Sequence, residues 1–119
     1  QEWSGLVGAA NLDRYFESRA PEWVTTTAEQ FWVGLGFPQL PASFWTKSDL
    51  FPAKPGEQRL KNSHASCWHL DLENDIRSLM SVEPNAWWFN TAHHELGHAY
   101  YFIAYTRPEV PPLLRTGAN

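Results

Sequence analysis

Apolar and aromatic positions recur every three or four residues most regularly over residues 84–105, which predicts the longest helix of the chain. At that spacing Trp87, Thr91, His94, Glu95, His98, Tyr101, Phe102 and Tyr105 share one face, and Ala92, Leu96, Ala99 and Ile103 lie elsewhere and can pack. The helix is apolar almost all round, as a buried helix is. Pro84 suits its first turn, where a missing N–H costs nothing, and Pro108 stops it. Upstream, residues 6–16 predict a short helix. Thr25-Thr26-Thr27-Ala28-Glu29 reads as a second helix start, with a Thr cap ahead of Glu29 and an end at Gly34 or Gly36. Residues 37–41 read as an extended turn, 43–50 as a short helical turn and 52–56 as loop. Residues 63–70 are small and β-prone, 73–75 form a turn, and 76–82 return antiparallel, which gives one hairpin. Residues 108–112 are stiff loop. The pattern is mainly α with a small antiparallel β-hairpin.

The length of 119 residues suits one modest domain. A formal net charge of -4, with no basic block or stripe, gives a nucleic-acid partner no support. No run of about eighteen apolar residues exists to span a membrane, and Gln1-Glu2-Trp3-Ser4 has no signal-peptide pattern. The chain lacks an initiator Met, so it is expected to be processed or cut from something longer. Its single cysteine, Cys67, excludes an internal disulfide and fits a reducing compartment. The plainer reading of Cys67 is a small buried side chain rather than a nucleophile. Seven Trp residues are many for this length. If the chain is part of a larger protein, some of them stand exposed.

His94-Glu95-Leu96-Gly97-His98 brings chemistry to the long helix. Residues i and i+4 are neighbours one turn apart, so His94 and His98 can each aim one nitrogen at the same tetrahedral zinc ion. Glu95 projects beside the metal, where it can take a proton from the water that the zinc activates. Two titratable imidazoles and a carboxylate on an otherwise apolar helix need such a reason. His93 points about 100° away and reads as a packing or supporting residue. The fold expected from the motif is zincin-like. Zinc hydrolases normally use three protein ligands. A metzincin-type third His would stand six residues after His98, where this chain has Ala104, and the only acid downstream of His98 is Glu109.

The surroundings of the motif narrow the reading. His93-His94-Glu95-Leu96-Gly97-His98 with Tyr100-Tyr101 and Tyr105 resembles the angiotensin-converting-enzyme family of zinc dipeptidyl carboxypeptidases. So do Arg115-Thr116-Gly117-Ala118-Asn119, His64-Ala65-Ser66-Cys67-Trp68, Leu35-Gly36-Phe37-Pro38, Pro41-Ala42-Ser43-Phe44-Trp45 and Gln1-Glu2-Trp3-Ser4. The resemblance implies His94 and His98 as zinc ligands and Glu95 as general base. It implies His64 and Ala65 on an edge strand that grips the substrate backbone by strand addition. It also departs from the family. Ser63 and Ser81 stand where animal members carry two bridged cysteines, and the segment between Trp3 and Trp32 is shortened. The family's third zinc ligand is a Glu a few residues beyond Gly-Ala-Asn, and here the sequence stops at Asn119.

The resemblance therefore implies a partial peptidase domain over residues 1–119, belonging to a larger all-helical peptidase fold. Its substrate is a peptide cut near the C-terminus, its cofactor zinc, with chloride as a further family ligand. The chain by itself is expected to be inactive. The alternative is a catalytically incomplete or non-catalytic module with a weak two-His metal site. Exposed aromatics favour self-association or a companion chain that supplies the missing part. No compartment follows from the sequence, and the family resemblance is compatible with an extracytoplasmic one.

Overall fold

A computed structural model describes residues 12–115. In chain order it contains α1 (Asp13–Phe16), α2 (Pro21–Gly34), α3 (Ala42–Lys47), β1 (Ser66–His69), β2 (Ile76–Leu79), α4 (Ala86–Tyr105) and a 3-10 turn at Pro112–Leu114. The two strands form one antiparallel sheet. The mixture of helices with a small hairpin is the one the sequence pattern predicts. The expectations for residues 6–11, for Gln1-Glu2-Trp3-Ser4 and for Thr116-Gly117-Ala118-Asn119 lie outside the described residues.

Helix α4 begins after Pro84, not with it. Asn85 is extended, and its side chain accepts from the Trp88 N–H at 2.8 Å. Asn is among the best residues for this place because its oxygen satisfies an amide that the helix leaves free. At the other end the Thr106 hydroxyl donates to the carbonyls of Phe102 and Ile103, both at 3.0 Å. Pro108 follows. The helix is not buried all round. Trp88, Ala92, Glu95, Leu96, Ala99, Tyr100, Phe102 and Tyr105 face inward, while Trp87, Asn90, His94 and Tyr101 form an exposed stripe. The face predicted to be shared is thus divided: Glu95, Phe102 and Tyr105 turn to the core and His94 to solvent.

Helix α2 starts at Pro21, earlier than Thr25, because a proline in the first turn starts it without a side-chain cap. Thr25 is no cap: it is buried within the helix, and its hydroxyl donates to the Glu22 carbonyl at 3.0 Å. The end at Gly34 is the one expected. Gly36 follows at φ +101°, a left-handed turn that favours glycine. It lets the Phe37 N–H reach back to the Trp32 carbonyl at 3.2 Å and the Gly36 N–H to Val33 at 3.0 Å, which closes the helix end.

The hairpin pairs Ser66 with Leu79, Cys67 with Ser78, Trp68 with Arg77 and His69 with Ile76. Both strands are shorter than predicted, and the far side of β2 has another partner. The Asp49 N–H donates to Ser78 at 3.0 Å, Met80 to Asp49 at 2.8 Å and Val82 to Leu50 at 2.9 Å. The register with β1 ends at Leu79, while Met80 and Val82 continue along the arm at residues 49–50. Among the described residues, no strand pairs with the other edge of β1.

Helix α4 packs on α2 along one flank and on the hairpin along another. Val24 and Ala28 of α2, Phe44 of α3, Ile76, Met80 and Val82 of the hairpin arm, and Ala92, Leu96 and Ala99 of α4 are fully buried between them. Among the described residues, no helix is long and apolar enough to cross a membrane.

Candidate metal centre

One helical turn sets His94 above His98, with ring centroids 4.8 Å apart and planes at 80°. Their Nε2 atoms come within 3.1 Å of each other. Two nitrogens bound to one tetrahedral zinc, each about 2.0–2.1 Å from it, lie about 3.3 Å apart. The observed separation is close to that value, so the pair fits two corners of such a site. Without an ion the same distance suits an N–H···N hydrogen bond between one protonated and one bare Nε2. His94 is exposed and His98 half-buried, which leaves the pair open to a ligand. Among the described residues, no group of three or more His, Cys, Asp or Glu side chains could hold a metal ion. Glu109 is exposed just past the helix and does not complete the set.

Glu95 follows His94 by one residue, about 100° around the helix, and only 8% of it is exposed. It turns toward the hairpin. The Cys67 thiol, half-buried in β1, is pushed up to about 12, mainly by burial and then by the charge of Glu95. A thiol raised in this way is protonated near neutrality, where thiols are poor nucleophiles. A stability effect follows. The folded chain holds the Cys67 proton above the thiol's ordinary value of 9.0. The contribution is whole below pH 9 and is lost as the pH rises from there toward 12. Between pH 8 and pH 10 the chain is expected to lose about 1.4 kcal/mol by this route, read from urea midpoints. Cys67→Ala should abolish that loss. An unchanged alkaline slope in the variant contradicts it.

The remaining candidates are placed differently. His93 Nδ1 donates to the Phe89 carbonyl at 2.6 Å, and its ring packs 4.4 Å from Phe89 and 5.4 Å from Phe31. It is the packing residue expected. His64 and Ala65 are not part of the strand: they precede β1. His64 is exposed in a bend, with its N–H donating to Asn62 Oδ1 at 2.9 Å, and Ala65 is half-buried against the core. This segment bends because a side-chain oxygen two residues back takes the amide that a ladder would have used.

Two supporting residues escaped the sequence pattern. The His69 ring stacks 5.3 Å from Phe102, meets the Tyr105 hydroxyl at 2.8 Å and donates from Nε2 to the Glu73 carbonyl at 3.0 Å. It ties the hairpin turn to the end of α4, and no spacing rule announces it. Trp32 donates from Nε1 to the His93 carbonyl at 3.2 Å. Its signal was Gly97: a glycine inside a helix asks for a close neighbour.

The sequence profile of the angiotensin-converting-enzyme family matches residues 16–119. The chain is 38% identical over 91 residues to an angiotensin-converting enzyme of Haematobia irritans exigua, covering 76% of this chain and 14% of that one. It is 37% identical over 90 residues to an angiotensin-converting enzyme-related protein of Drosophila melanogaster, covering 76% and 13%. It is 36% identical over 92 residues to an angiotensin-converting enzyme of Mesocricetus auratus, covering 77% and 7%. The matched part of this chain therefore spans about one-seventh or less of the length of these relatives.

Proposed function

This chain belongs to the angiotensin-converting-enzyme family, and on that premise we propose that it is part of the catalytic domain of a zinc metallopeptidase. The reaction is hydrolysis of peptide bonds near the C-terminus of a peptide, of the peptidyl-dipeptidase or carboxypeptidase type. The observation that carries this reading is the 3.1 Å approach of His94 Nε2 and His98 Nε2, one residue from a largely buried carboxylate. His94 and His98 hold the zinc. When bound, the ion supplies a Lewis acid for the peptide carbonyl and lowers the pKa of the attacking water. Glu95 is the general base and takes that water's proton as the oxygen attacks. Its largely buried position restricts the carboxylate, where a solvent-exposed side chain would wander. The unpaired edge of β1 offers main-chain N–H and C=O groups to an extended peptide. His64 and Ala65 lie just ahead of that strand, beside the proposed substrate edge. The third metal ligand comes from outside the described residues, as do the groups that would take the peptide's terminal carboxylate or a chloride ion. The chain is then one segment of a larger, mostly helical peptidase domain.

The lack of a third ligand among the described residues favours one other reading, a non-catalytic module with a weak two-His site. Zinc titration followed by the imidazole nitrogen shifts of His94 and His98 tests the site itself. Both rings should respond together, and His94→Ala should lower the affinity on the order of 10-fold or more. Equal affinity in wild type and His94→Ala sinks the site. Zinc binding at this pair without peptide hydrolysis by the full-length protein leaves the non-catalytic module.

A further inference from the structure

The two histidines touch each other on the more exposed side of α4, and the turn that carries them is met on a neighbouring flank by the Trp32 side chain. We infer that Trp32 is a positioning residue for the His94–His98 pair, a role that rests on the reading of these histidines as ligands. The Trp32 indole meets α4 at three successive levels. Its Nε1 donates to the carbonyl of His93, the residue before the first ligand, at 3.2 Å. Its six-membered ring lies against Gly97, the residue before the second ligand. A Cβ at Gly97 would sit 3.0 Å from Cζ2 and 3.5 Å from Cη2, tighter than a side chain accepts without a shift. Farther along, the indole packs 5.8 Å from the ring of Tyr100, a fully buried residue.

Positions 93, 97 and 100 form one stripe of the helix, rotated by one residue from the stripe of His94 and His98. A flat ring pinned along that stripe sets both the rotation and the height of the turn between the histidines. Trp32 is itself well placed to act as a fixed point. It lies in the last turn of α2, its carbonyl accepts the closing Phe37 N–H at 3.2 Å, and the Phe37 ring covers it at 5.7 Å. A glycine inside a helix disfavours it relative to alanine. The presence of Gly97 is explained by the close approach it allows. A nitrogen pair suited to one metal ion tolerates little drift, because an added angstrom between the rings removes one of them from the ion.

The test uses the full chain with three variants. Trp32→Phe keeps an aromatic ring and deletes the N–H. Gly97→Ala pushes the indole away. Val24→Ala, elsewhere in the core of α2, is the stability control. Zinc affinity is measured by calorimetry, amide exchange along α4 by NMR, and global stability by urea. Trp32→Phe and Gly97→Ala are each expected to weaken zinc binding about 10-fold and to speed exchange at residues 95–98 more than at 102–105. Val24→Ala should lower stability with zinc affinity and the exchange pattern unchanged. Unchanged affinity in Trp32→Phe, or an equal loss in Val24→Ala, overturns the role. Should the full-length wild-type protein bind no zinc at this pair, the ligand reading fails on its own, and the exchange pattern decides the positioning: selective loosening at 95–98 supports it, and uniform loosening overturns it.

Discussion

Glu95→Gln in the full-length peptidase is expected to keep zinc and to lower kcat by about 10²- to 10⁴-fold. The amide has nearly the shape of the carboxylate, so the buried pocket beside Cys67 still holds it. His94 and His98, the proposed ligands, remain close together. What disappears is the acceptor for the proton that the attacking water must shed. The amide oxygen accepts a hydrogen bond but is far too weak a base to complete the transfer. The proposed substrate edge of β1 does not involve this group, so KM should change little and the loss should fall on kcat. Metal content measured beside the turnover separates this outcome from loss of the site. Near-normal turnover in a zinc-loaded variant removes Glu95 from the mechanism, and loss of zinc reassigns it as a ligand.

Phe44→Ala is expected to destabilise the chain by about 3–5 kcal/mol. Phe44 is fully buried, and its ring meets Trp45 edge-on at 5.2 Å. It fastens α3 to β2, and the residues just after α3 are those that pair with the far side of β2. A two-stranded hairpin is marginal by itself, so the third arm at Asp49 and Leu50 and the ring beneath it are what make it durable. Since whole domains are stable by only about 5–15 kcal/mol, the variant should lose roughly 10 °C or more in Tm. Urea unfolding and a thermal scan check this. A change below about 1 kcal/mol means that the core can close over the missing ring.

Local rules read from the chain were right where local physics is strong. The run of three- and four-residue spacings yielded α4 to its last residue, Tyr105, and the turn signals over 73–75 yielded an antiparallel hairpin. Gly34 ended α2 as expected, since a glycine close behind can adopt the left-handed turn. The same rules failed at boundaries where two starts compete. Pro21 preceded the Thr25 cap, and Asn85 displaced Pro84, because both alternatives satisfy the first turn and only the path of the preceding chain chooses between them.

For the candidate site the division is sharper. The sequence by itself determined that His94 and His98 would stand one turn apart, because helical periodicity alone brings i and i+4 together. It also determined the family, through motifs spread along the chain. Tertiary structure decided which way the helix faces: His94 goes to solvent, His98 is half-buried and Glu95 goes to the hairpin, although spacing had placed all three on one face. It decided that the strand stops short of His64 and Ala65, since the Asn62 side chain takes the His64 N–H. It decided, too, that Trp32 would lie against Gly97. Periodicity describes one element at a time, whereas burial and contact depend on neighbours far away in the sequence, and those neighbours meet only when the chain has folded.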